Sequence, residues 1–98
     1  MEIKNCGYEN ALKKVVDVRL QRKKIYGDQW QQMQIYELVA MIKQKTSRLE
    51  HMFLNGTNNY EKMEDTLIDN VNYNLFLLEI LQRRQHENRN LRSRKSRQ

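Results

Sequence analysis

The sequence contains no proline, three glycines and a single cysteine in 98 residues. Without proline, breaks between elements must come from glycine and asparagine. The lone Cys6 has no partner for an internal disulfide, and with only His51 and His86 beside it there is no zinc-ligand set, so no structural metal is expected. No apolar run is long enough to span a membrane, and Met1 to Gly7 holds no hydrophobic stretch of signal-sequence type. These absences predict a cytoplasmic protein with no membrane partner. A Ser-His-Asp spacing, a Gly-rich phosphate loop and a Walker-type sequence are also lacking, and no histidine adjoins Cys6, which argues against nucleophilic catalysis.

What remains is a charged chain of 12.0 kDa with 39% hydrophobic residues. That size suits one domain. Ordering it costs roughly 1.5 kcal/mol per residue in conformational entropy, which leaves a lone monomer marginal and predicts self-association. The net charge of +6 is confined to one end: residues 1–82 hold eleven Lys/Arg and eleven Asp/Glu, whereas residues 83–98 hold seven Lys/Arg against Glu87. The sequence thus divides into a helical domain over residues 1–84 and a basic tail over 85–98, frayed or disordered. Arg92, Arg94, Lys95 and Arg97 could attract nucleic acid through counterion release, although basic termini also serve as solvated ends.

Punctuation at Gly27-Asp28 and at Asn55-Gly-Thr-Asn-Asn59 predicts an all-α fold of three helices, two of them long and antiparallel. The first runs from about Tyr8 to Tyr26, with Leu12, Val15, Val16 and Leu20 at helical spacing and Gly27 closing it. Asp28 and Gln31 are placed as a capping pair for the second, which has Ile35, Leu38, Val39, Ile42, Leu49 and Phe53. The third begins near Tyr60, follows the apolar series Met63, Leu67, Val71, Leu75, Leu78 and Leu81, and frays beyond Arg84.

Several residues fall on the wrong face of this pattern. Arg19 and Lys23 project into the apolar arc of the first helix, Lys45 lies inside that of the second, and Arg48 sits at its edge. Long cationic side chains can snorkel out of such positions. If they converge instead, they need an anion, either a carboxylate of the third helix or a ligand phosphate. Asp65, Asp69 and Asn72 share one face of that helix with Phe76, opposite its apolar arc. This face reads either as solvated or as a site, and Phe76 on it suggests a covering subunit or ligand.

Tyr26-Gly27-Asp28-Gln29-Trp30, then Lys45-x-x-Arg48, then Glu64-Asp-Thr-Leu-Ile-Asp69-Asn-Val-Asn72-Tyr73 together resemble the phage and bacterial nucleotide modification associated domain 1 family, over about residues 8–82. The resemblance implies an all-α relative of the MazG-like nucleotide pyrophosphatases, in which helices of two chains form one bundle, and a phage-encoded protein working in the host cytoplasm. Those enzymes hold Mg²⁺ with an E-x-x-E pair on one helix and an E-x-x-D pair on the next. Here Lys45 and Arg48 stand where the first pair would be, so half the metal cage is missing. The substitution of cations for carboxylates suits direct binding of a phosphate.

The leading expectation is therefore a homo-oligomeric binder of a nucleotide or cyclic nucleotide-type ligand, without cofactor or hydrolysis, that sequesters an immune nucleotide messenger. Arg19, Lys23, Lys45 and Arg48 would meet phosphates. Tyr26 and Trp30 would stack a base, core packing being the competing role for Trp30, and Asp69 and Asn72 would bond a base edge or ribose or orient the cations. Two alternatives stand beside it: a Mg²⁺-dependent pyrophosphatase using Glu64, Asp65 and Asp69, and a nucleic-acid binder using the basic tail.

Overall fold

A computed structural model describes residues 3–56 and 59–97, with side chains described for 7–56 and 59–91. It contains α1 (Ile3–Tyr26), a short 3-10 helix (Gln29–Gln32), α2 (Ile35–Leu54) and α3 (Tyr60–Arg97). The described residues form no strand, and the expected all-α class is borne out. None of these helices is long and apolar enough to cross a membrane.

Gly27 ends α1 as its position suggests. Its φ of +67° belongs to the left-handed region, and its N–H returns to the Lys23 carbonyl at 2.8 Å. The start of α2 differs from expectation. Asp28 makes no capping hydrogen bond, and its carboxylate pairs with Lys23 at 3.8 Å. One 3-10 turn intervenes, and α2 starts after Gln34, whose N–H donates to Glu37 Oε1 at 3.0 Å. Asn55 closes α2, donating from Nδ2 to the His51 carbonyl at 2.8 Å, while Gly56 turns the chain at φ +65°. Asn59 then caps α3, its Oδ1 accepting from the Lys62 N–H at 3.1 Å. The helix runs on to Arg97 rather than fraying beyond Arg84, because residues 84–97 contain neither glycine nor proline and several strong helix formers.

The hairpin of α2 on α3 is the main packing unit, and α1 rests on α3 over a smaller area. The apolar residues buried among the described ones are Val15, Leu38, Ile68 and Ile80. Two expected apolar faces are left uncovered: Leu12, Val16 and Leu20 on α1, and Leu67, Leu78 and Leu81 on α3, are between 42% and 53% exposed. The side of α3 turned to α1 and to the 3-10 turn carries Asp69, Asn72 and Phe76, the face that sequence periodicity set opposite the core. Total accessible surface is 8472 Å², against roughly 6,000 Å² for a compact monomer of 12.0 kDa. The radius of gyration, 17.7 Å, likewise exceeds the value of about 13 Å usual at this length.

Candidate functional site: a cleft between α1, the 3-10 turn and α3

A cleft of about 630 Å³ opens where the end of α1 and the 3-10 turn meet the middle of α3. Its aromatic wall is built by the turn itself. Trp30 stacks on Phe76 with ring centroids 4.4 Å apart and planes 11° from parallel, and Tyr73 meets Phe76 edge-on at 6.1 Å. The Arg19 guanidinium lies over both rings, 5.7 Å from the Trp30 centroid and 5.2 Å from that of Phe76. Phe76 is thus covered by Trp30 of the same chain, and needs no second subunit to explain it.

Every cation at the cleft is paired. Arg19 reaches Glu79 at 3.4 Å, Lys23 reaches Asp28, and Arg22 donates to Asp69 Oδ1. From the other side Lys45 of α2 approaches Asp69 Oδ2 at 3.5 Å. One carboxylate on α3 therefore ties all three helices, and both Asp69 and Lys45 are largely buried, at 16% and 21% side-chain exposure. Of the misplaced cations, Arg19 and Lys45 are answered by carboxylates of the third helix and Lys23 by Asp28 before the 3-10 turn. Arg19, Arg22 and Lys23 in the lining are matched by Asp28, Glu37 and Asp69, so the cleft is charge-balanced rather than strongly positive.

Asn72, also in the lining, is 5% exposed. Its Nδ2 donates to the Val15 carbonyl at 3.3 Å, while its Oδ1 is buried without a partner. An unpaired buried acceptor costs roughly 1–3 kcal/mol. Beside it, burial raises the pKa of the Tyr73 hydroxyl, the Asp69 charge reinforces the rise, and Arg22 opposes it.

Of the residues singled out in the sequence, Arg19, Lys23, Tyr26, Trp30, Asp69 and Asn72 line this cleft. Lys45 touches it only through Asp69. Arg48 is exposed and lies outside it, about 16 Å along α2 from Glu37, the residue of that helix in the lining. Arg22, Tyr73 and Phe76 were not among the expected ligand contacts, although the first falls in the 3-4 spacing of Val15, Val18, Arg19 and Arg22. The Mg²⁺ alternative finds no cage: Glu64 pairs with Lys14 at 2.6 Å, Asp65 is exposed, and Asp69 sits between two cations. Among the described residues no three His, Cys, Asp or Glu side chains are grouped to hold a metal ion, so Glu64, Asp65 and Asp69 do not fit one. The side chains of Arg92, Arg94, Lys95 and Arg97 lie outside the described residues, on backbone that is helical to Arg97.

No family model, curated protein or solved structure matches the chain. The cleft has to be read from its own chemistry.

Proposed function

We propose that the protein binds a nucleotide-derived phosphate ligand in this cleft and does not hydrolyse it. The observation that carries the reading is a cleft walled by aromatic rings and cations, with Asn72 in its lining and the Asn72 Oδ1 buried without a partner. An amino group of a base or a ribose hydroxyl would supply the missing donor. Tyr26, 62% exposed at the rim, offers a ring face for a base, whereas the Trp30 face is shared with Phe76. Phosphates would take over Arg22 and Lys23, the more accessible partners of Asp69 and Asp28. Arg48 has no part in this reading, and Lys45 acts by holding Asp69.

The resemblance to a phage nucleotide-handling family supports sequestration of an immune nucleotide messenger in the host cytoplasm as the use of such binding. The small buried core supports completion of the bundle by further copies of the chain. Isothermal titration with nucleoside triphosphates, cyclic dinucleotides and cyclic ADP-ribose isomers, with and without Mg²⁺, tests the reading. Binding with the ligand recovered intact is expected. Mg²⁺-dependent conversion would restore the pyrophosphatase reading, and no heat from any ligand would remove binding altogether.

A second reading is favoured by one observation, the continuation of α3 as a single helix through the basic segment to Arg97. It would present seven Lys/Arg of residues 83–98 on one rod to nucleic acid. Deleting residues 89–98 would then lower nucleic-acid affinity and its salt dependence and leave small-ligand binding intact.

A further inference from the structure

The uncovered side of α3 has an order that a solvated face does not need. Leu67, Val71, Asn74, Leu78 and Leu81 follow one another at spacings of 4, 3, 4 and 3 residues. Over two heptads this spacing keeps the five residues in one stripe, the arrangement a helix offers to a second helix packed along it. Leu67, Leu78 and Leu81 on it are 51%, 49% and 43% exposed. Between Leu67 and Leu81 the only charged residues of α3 are Asp69 and Glu79, and both are turned away to pair with Arg22 and Arg19 of α1. In a chain with 31% charged residues, a face of four turns without a charge is the composition of an interface core.

We propose that α3 pairs antiparallel with α3 of a second copy along this seam, about a two-fold axis beside Asn74. Self-association is the premise carried over from the functional reading; the ligand is not. A second copy suits the face because the seam is symmetric about its polar centre: Leu67 meets Leu81 of the partner subunit, Val71 meets Leu78 of the partner subunit, and Asn74 meets Asn74 of the partner subunit. A single central asparagine fixes register at some cost in stability. Asn74 Nδ2 now donates to the Asn70 carbonyl of its own helix at 2.8 Å, so it is not left unpaired while it waits for a partner.

Charge selects the antiparallel sense. A parallel pair would set two segments of net charge +6 side by side, whereas the antiparallel pair brings Arg83 and Arg84 towards the end of α3 that holds Glu61, Glu64 and Asp65. The surface is also available. The excess over a compact monomer, about 2,500 Å², is at the upper end of the roughly 1,000–2,500 Å² that one subunit gives to an obligate homodimer, and the projecting end of α3 accounts for part of it.

The test is cysteine cross-linking in a Cys6→Ser background of the full chain, beside sedimentation equilibrium of the wild type. A dimer is expected, with Asn74→Cys joined rapidly by a mild oxidant. Leu67→Cys alone should not cross-link, its partner-subunit counterpart being about 21 Å along the helix, but should do so when mixed with Leu81→Cys. Leu78→Glu, on an exposed side chain, should keep its helical circular dichroism and weaken the dimer at least tenfold. A monomeric wild type would overturn self-association together with the seam. A dimer in which Asn74→Cys stays uncross-linked, or which survives Leu78→Glu and is lost in Leu12→Glu, would overturn the seam alone, and self-cross-linking of Leu67→Cys would overturn the antiparallel sense.

Discussion

Asn72 combines two energies that a substitution can separate. Its Oδ1 is a buried acceptor without a donor, so Asn72→Leu, with the same branched heavy-atom skeleton, removes an unsatisfied group together with one modest hydrogen bond. Stability within about 1 kcal/mol of wild type is expected in urea denaturation, while nucleotide affinity falls about tenfold or more. Equal losses of both would make Asn72 a purely structural residue. Asp69→Asn should act in the opposite sense: Arg22 and Lys45 lose their common carboxylate, and a loss of about 1–3 kcal/mol is expected, below the range for a fully buried pair because Arg22 is half exposed. Tyr73 gives a pH signature. Its hydroxyl stays protonated in the folded chain above its ordinary value of 10.0. The unfolded chain therefore loses that proton first, and the contribution is complete below about pH 10 and is lost as the pH rises through the folded value. Tyr73→Phe should flatten that alkaline fall, as read from urea midpoints between pH 9 and 11. Asp69, Asn72 and Lys45 were legible as candidates because polar residues stood where helical periodicity gave them shared directions. Arg22 was missed because its register places it beside the apolar arc centred on Leu12, whereas α1 packs through Val15.

Gly27 carries the link between α1 and the cleft wall. An added Cβ there meets nothing within 4 Å, so the cost of Gly27→Ala is purely that of the left-handed backbone at φ +67°, about 1 kcal/mol. Thermal unfolding should show it, and loosening of the Trp30 turn should weaken ligand binding as well. The same turn explains why the ends of elements were only partly readable. Asp28 followed by Gln31 and Gln34 followed by Glu37 carry similar capping signatures, and sequence alone favoured the acidic cap. Packing decides otherwise: stacking Trp30 on Phe76 draws the segment into one 3-10 turn, and α2 starts after it. The helix stops at Gly27 and at the Asn/Gly cluster were legible because their mechanism is local.

For the whole molecule, periodicity identified an apolar side of α3 that a single chain does not bury. Within one chain that side faces outward, and a small core of Val15, Leu38, Ile68 and Ile80 holds the fold. No pattern in a stretch of two heptads distinguishes a stripe destined for its own domain from one destined for another copy. If association completes the bundle, the melting temperature should rise with protein concentration in the wild type and lose that dependence in Leu78→Glu.

The cleft contains the one tryptophan of the chain, so Trp30 emission reports on that site alone. Titrating it with nucleoside triphosphates, cyclic dinucleotides and cyclic ADP-ribose isomers, in wild type and Asn72→Leu in parallel, tests the central claim most directly. A saturable change with at least one of these ligands in the wild type, shifted tenfold or more to higher concentration by Asn72→Leu and unmoved by Arg48→Ala, is expected. Unchanged emission across the series, or equal affinity in wild type and Asn72→Leu, would contradict a nucleotide site in this cleft.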